Sequence, residues 1–290
     1  MGGPCRLRLH CAVEQVSALT QAAEAEVERL EARYSRYRTS SLTSRINARA
    51  GSGEAVAIDA ETAGLLHYAD TLWRESDGLF DLTSGILRRA WDFKGGRVPT
   101  EQQLAELMPL IGWEKVRWST ESVELPSAGM ELDFGGCVKE YACDSVANIL
   151  RQQGVRHGLV DLAGDMVAIG SQPNGQPWPI GIRHPEQQHQ AAAHIPLKDA
   201  ALASSGSYER CLVHQGKRLG HILNPKTGWP VEGLVAVSVV APQCLVAGSS
   251  ATVAMLKPAD AALRWLESLG LVWLGIDSTL RCFHSASERE

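Results

Sequence analysis

Between Leu132 and Asp144 the chain reads LDFGGCVKEYACD, an apolar approach broken by two adjacent glycines and followed at once by a helix-forming run. Two glycines in succession let a backbone approach a ligand closely, and the N-terminus of a new helix offers unpaired N–H groups to an anion. The segment therefore predicts either a phosphate-handling turn or an ordinary joint between a strand and a helix. Neighbouring motifs have to decide which.

Bulk properties narrow the field. The chain has 290 residues, enough for a large core, and shows no composition break that demands a linker. With 21% charged residues and a net charge of -5 it has no basic surface, so nucleic acid is excluded as an expected partner. Seven cysteines form no CxxC pair and leave one over, which argues against a zinc site and a disulfide framework and for a reducing compartment. The longest apolar run, around Leu234 to Ala241, is too short to span a bilayer, and the N-terminus lacks a signal-peptide core. A cytoplasmic protein without a membrane segment is expected.

Periodicity predicts an α+β fold. A strand at Cys5 to Cys11 precedes a long helix from Val13 to Tyr34, then a polar loop from Tyr34 to Gly53. Asp59 is placed to cap a helix whose apolar positions Leu65, Leu66, Ala69, Leu72 and Trp73 share one face. Thr100 opens a short helix, and alternation at residues 115–118 and 122–125 predicts a hairpin. The helix from Val138 should stop at Gly154. Strands are expected at 158–162, 166–169, 179–183, 200–204, 208–214, 219–223 and 235–241, an exposed loop at 186–194, and helices at 247–256 and 259–269. Strands and helices interleave without a regular βαβ rhythm, which favours mixed or antiparallel sheets flanked by helices over a doubly wound sheet.

Several segments carry chemistry, each with a plainer alternative. Lys139, one turn after the glycines, is a cation for a phosphate or a solvated helix residue. Asp81 and Thr83 in GLFDLTSG are pocket groups or a capping turn. His221, at a strand end before the turn of HILNPKTG, is a general base or a surface histidine. SSGSYER and Asp161 to Asp165 are functional loops or simple turns. The chain contains no nucleophile elbow, Walker A loop, HExxH or GxGxxG.

Taken in order, the motifs MGGPCRLRL, SRYRTSSLTSRIN, GLFDLTSG, LDFGGCVKEYACD, VDLAGDMVAIG, SSGSYER and HILNPKTGWPV resemble those of the ApbE family, the FAD:protein FMN transferases. The likeness runs over nearly the whole chain and implies one ApbE-like domain over residues 1–290. It implies that a threonine hydroxyl of a flavin-accepting protein attacks the FMN-side phosphorus of FAD, with release of AMP and help from Mg2+. By the same resemblance Met1 and Tyr37 contact the cofactor, and Leu79, Phe80 and Asp81 line its pocket. Asp133, Lys139 and His221 also bind FAD, His221 activates the acceptor hydroxyl, and Gly136, Ala251 and Thr252 hold the metal.

Three positions depart from the family pattern. Gly248 stands where the last helix has an aspartate metal ligand, Glu140 where the motif has glycine, and Asn224 where HiiDP has aspartate. A missing carboxylate weakens a hard-cation site unless water, substrate phosphates or Ser249 substitute. Two further readings follow: an FAD pyrophosphatase using water as acceptor, and a non-catalytic FAD-binding protein. The lipoprotein signal of exported members is also missing from the sequence.

Overall fold

The computed structural model describes residues 3–187, 190–208 and 210–285. Met1, Glu209 of SSGSYER, and Gln188 and His189 of the expected loop lie outside the described residues. Strand β1 (Cys5–His10) is followed by α1 (Val16–Tyr34), α2 (Leu42–Ala48), β2 (Val56–Ala57), α3 (Ala60–Glu75), α4 (Glu101–Leu107), β3 (Arg117–Trp118) and β4 (Ser122–Glu124). After α5 (Val138–Gln152) come β5 (His157–Leu162), β6 (Asp165–Ile169), β7 (Trp178–Arg183), β8 (Ala191–Leu197), β9 (Ala201–Gly206), β10 (Cys211–His214) and β11 (Lys217–Gly220). The chain closes with β12 (Ala236–Ala241), α6 (Cys244–Leu256), α7 (Ala259–Ser268), β13 (Val272–Ile276) and β14 (Cys282–His284).

This α+β chain is organised as two compact units. The first draws its described residues from Met1–Glu31, Cys137–Tyr208 and Gly233–Glu290, the second from Ala32–Gly136 and Glu209–Glu232. In the first unit a seven-stranded sheet runs β1-β5-β6-β9-β12-β13-β14, every neighbouring pair antiparallel. Leu159, Ala168, Leu202 and Leu274 pack on one face with Ile180, Ile182 and Leu197 of the β7–β8 hairpin. Strand side chains alternate, so Val160, Val167, Val237 and Val239 turn to the other face, where α5 and α6 lie. Cover on both faces explains why β12 reads AVSVVA, apolar almost without interruption.

Helix α6 is apolar all round and buried, as a core helix must be. Its N-cap residue Gln243 makes no side-chain cap, so the first N–H groups need another acceptor. Asp144 of α5 supplies it, accepting from Cys244 N at 2.8 Å and Leu245 N at 2.9 Å. Burial raises the Asp144 pKa while these two N–H groups pull it down.

The second unit contains α2, α3 and α4, the three-stranded sheet β2-β4-β3 and the β10–β11 hairpin. Asp59 caps α3 through Thr62 N at 2.9 Å, as expected. Ile86, Leu87, Trp91, Leu104, Ile111 and Leu212 form its apolar centre, and Trp91 Nε1 donates to the Gly228 carbonyl at 2.8 Å.

Three expectations are corrected. The polar loop 34–53 contains helix α2, with Ser41 accepting from Ser44 N at its N-cap. The approach to Gly135 is not a paired strand: Asn47 takes the place of a neighbouring strand, accepting from Leu132 N at 2.7 Å and donating to its carbonyl at 3.0 Å. The loop 186–194 gives way at Ala191 to β8, whose alanines and Pro196 disguise a strand. A two-stranded sheet tolerates that proline, which stands opposite Pro179.

Replacing Asp144 by Ala leaves the first α6 N–H groups without their buried acceptor. The expected cost is about 1–3 kcal/mol of unfolding free energy, with unchanged urea dependence, measured by equilibrium urea denaturation.

Candidate active site

In the first unit the candidate site residues lie on α5, α6, β6 and β9. Lys139 on the first turn of α5 pairs with Asp165 at the start of β6, Nζ to Oδ2 2.5 Å. Asp165 is 2% exposed and accepts from Ser204 N through Oδ1 at 3.3 Å. Burial raises its pKa against the pull of Lys139. For Lys139 burial opposes the charge, but Asp165 and Glu140 outweigh it and hold the ammonium above the ordinary lysine range. Glu140, next along α5, is 7% exposed, and its Oε2 has no hydrogen-bond partner. Burial first, and then the Asp165 charge, push the Glu140 carboxyl up to about 8.

Gly248 of α6 faces that carboxyl. A Cβ placed there would stand 2.4 Å from Glu140 Cγ and 2.9 Å from its Oε1. Four residues on, Thr252 shares a 3.1 Å hydroxyl–hydroxyl hydrogen bond with Ser205 of β9. Ala251 is fully buried inside α6 and has only a backbone carbonyl to offer a ligand. Ser249 turns its hydroxyl back to Leu245 O at 2.8 Å, so its proton goes to the helix.

In the second unit, Asp133 and Arg36 form an ion pair. Asp133 Oδ1 also accepts from Gly135 N at 2.9 Å, and Gly85 makes room for it, since a Cβ there would stand 2.4 Å from Asp133 Cβ. Neither Gly135 nor Gly136 has a positive φ among the described residues. What this pair supplies is therefore the missing side chain, and Gly135 is open to solvent. Phe80 is buried with its ring edge 3.5 Å from where a Cβ on Gly136 would lie. Half-buried Leu79 precedes it.

Asp81 accepts from Thr83 N at 2.7 Å, Thr83 Oγ1 at 2.6 Å and Trp113 N at 2.9 Å, so both its oxygens brace the turn. Tyr37 is 79% exposed, with the Arg36 guanidinium 5.0 Å from its ring centroid and donating to its hydroxyl at 2.9 Å. That hydrogen bond lowers the Tyr37 pKa. His221 stacks edge-on to Phe93, and its Nδ1 lies 3.2 Å from the Arg210 carbonyl. A carbonyl only accepts, so Nδ1 carries the hydrogen and the basic lone pair of the neutral ring is on Nε2. Asn224 accepts from Lys226 N at 2.8 Å, a turn bond for which its amide oxygen serves as well as a carboxylate.

The model of the ApbE family matches residues 1–273. This chain belongs to the ApbE family. A Haemophilus influenzae relative named FAD:protein FMN transferase is 30% identical over 88% of this chain and 78% of its own length. One of the same name from Klebsiella pneumoniae is 31% identical over 84% and 76%. The fold agrees with the flavin transferase ApbE from Vibrio cholerae, with a TM-score of 0.89, 26% identity, and coverage of 99% of this chain and 95% of that one. The ApbE protein of Thermotoga maritima gives a TM-score of 0.87 at 26% identity, over 98% and 96%.

Within this ApbE fold, the first unit brings Lys139 together with Asp165 and Glu140, and Thr252 with Ser205. The second unit brings Asp133 together with Arg36 and Gly135, and Phe80 with Gly136. Arg36 and Asn47 were not singled out by sequence reasoning, and Asp165 was read only as the end of a turn, although all three stand inside the quoted motifs. Among the described residues no three His, Cys, Asp or Glu side chains form a ready-made cage for a metal. No helix among them is long and apolar enough to cross a membrane.

The raised Glu140 pKa fixes a sign for stability against pH. The folded state holds this proton more tightly than the unfolded chain, so the contribution is complete below the ordinary glutamate range and is lost as pH rises through about 8. In EDTA, the unfolding free energy of the protein should fall from pH 5 to pH 8. Glu140→Gln should flatten that slope, as read from urea denaturation at a series of pH values.

Proposed function

We propose that this protein is an FAD:protein FMN transferase that moves FMN from FAD to a threonine hydroxyl of an acceptor flavoprotein and releases AMP. The observation that carries the reading is His221. Hydrogen bonding of Nδ1 to the Arg210 carbonyl puts the basic lone pair on Nε2, the state a general base needs. Nε2 takes the hydroxyl proton as the oxygen forms a bond to the FMN-side phosphorus. The bond from that phosphorus to the bridging oxygen breaks, and the electron pair leaves with AMP.

Other residues of the chain bind and orient. The exposed Tyr37 ring with Arg36 beside it offers a stacking surface for a flavin or an adenine, and Asp133 is fixed by Arg36 and Gly135 N as an acceptor. Lys139 supplies a cation held in place by Asp165. The donor set fits a hard divalent cation, because Glu140 Oε2 is a buried oxygen with no donor beyond a proton shared with Asp165, Asp165 Oδ2 is paired with Lys139, and Thr252 adds a hydroxyl. We take that cation to be Mg2+; when bound it neutralises charge on the pyrophosphate.

Incubation with FAD, Mg2+ and a threonine-bearing acceptor peptide should yield AMP and a covalently fluorescent peptide. His221→Ala should lower the rate by about 10²-fold or more. AMP released at full rate without acceptor would turn the reading to a pyrophosphatase.

A further inference from the structure

We propose that Glu140 supplies from α5 the metal-binding carboxylate that Gly248 cannot supply from α6, so that this chain holds its divalent cation through an exchanged pair of positions. The inference rests on the transferase reading for the existence of the cation and goes beyond it in naming the ligand.

Space is the first argument. Gly248 is buried, and the volume into which any side chain at 248 would grow is filled by Glu140, whose Cγ, Cδ and Oε1 lie 2.4, 3.0 and 2.9 Å from the place a Cβ would take. A carboxylate rooted at 248 and one rooted at 140 compete for the same volume, and this chain has the second. Chemistry is the second argument. A carboxyl group used only as filler would find hydrogen-bond partners or give way to an apolar side chain, because an unpaired buried oxygen is costly. Glu140 Oε2 is nevertheless buried with no donor beyond the proton its carboxyl can share with Asp165, and Asp165 Oδ2 is otherwise engaged by the Lys139 ion pair. Two hard oxygens in adjoining buried carboxyls are the kind of ligand a small divalent cation takes, and Thr252, one helical turn beyond Gly248 on α6, adds a hydroxyl.

The same packing makes a specific statement about substitutions. Gly248→Asp alone cannot restore an aspartate ligand, because its side chain collides with Glu140. Only the double exchange Glu140→Gly with Gly248→Asp clears the volume and refills it from α6.

The test reads metal binding directly, apart from flavin transfer. Mn2+ is titrated onto the full chain with FAD present and free Mn2+ is followed by electron paramagnetic resonance, while FAD affinity in EDTA is followed by flavin fluorescence. Glu140→Gln, nearly isosteric, should weaken Mn2+ binding about tenfold or more while FAD affinity in EDTA stays within about twofold of wild type. The double exchange should recover most of the loss, and Gly248→Asp alone should not improve on wild type. Mn2+ binding unchanged in Glu140→Gln, or no Mn2+ binding by the wild-type chain, overturns the proposal. If Glu140→Gln shifts the thermal midpoint so far that folding is in doubt, the double exchange decides: recovery of Mn2+ binding supports the proposal and its absence overturns it. Failure of the transferase reading looks different, with Mn2+ binding as expected and no flavinylated peptide.

Discussion

The first unit depends on how carboxyl groups on one face of α5 are compensated as they go into the core. An apolar helix such as α6 can be buried whole, but its leading N–H groups still need acceptors. Asp144 gives two of them a charge-assisted partner from the neighbouring helix. That contact fixes where α6 begins relative to α5. One turn earlier on α5, Glu140 enters the space that Gly248 leaves. The two contacts together set the register of α5 against α6 by a hydrogen bond at one point and by volume at the other.

Charge follows from this register. With Glu140 and Asp165 both buried and adjacent, the pair cannot ionise as two free carboxylates would, and both pKa values rise. Lys139 offsets part of that cost and is itself held charged against burial. The cluster thus holds two buried carboxyls against one partly exposed ammonium. In the second unit the balance is different. Arg36 pairs with Asp133 near solvent, and the Gly135 N–H donates to the same carboxylate, an arrangement suited to orienting a polar ligand.

Much of this was legible from residue patterns. Asp59 before an apolar stripe gave the start of α3, Gly154 the end of α5, and an apolar run broken only by Ser238 the doubly covered strand β12. Propensity and period are local properties, and these elements obey them. Those that escaped depend on distant partners. Asn47 replaces a strand with a side-chain amide 85 residues away in sequence, which no periodicity records. Strand β8 is weak by composition and is held by its hairpin partner. Strand β13 has only five residues. At the site, ordered motifs marked Lys139, Asp133 and His221, whereas Asp165 read as a turn residue because its role begins only when β6 places it beside Lys139.

Asp81 and Glu140 show opposite outcomes of one ambiguity. Each is a carboxyl group in a motif, open to a structural or a functional reading. Asp81 has three donors and both oxygens engaged; burial still raises its pKa, but the three donors offset part of that cost and its carboxyl is consumed in bracing the turn before Trp113. Glu140 is buried more deeply, and no N–H or hydroxyl reaches its Oε2, which has only a proton to share with the Asp165 carboxyl. The difference cannot be seen in composition or spacing, since it lies in how many donors reach each group once the chain has folded. The mismatch between a buried acceptor and its missing donor is what moves the departure at Gly248 from a loss to a relocation. A glycine where a ligand is expected reads as a vacancy in sequence, but in the folded unit the neighbouring helix has already filled it with the same chemical group.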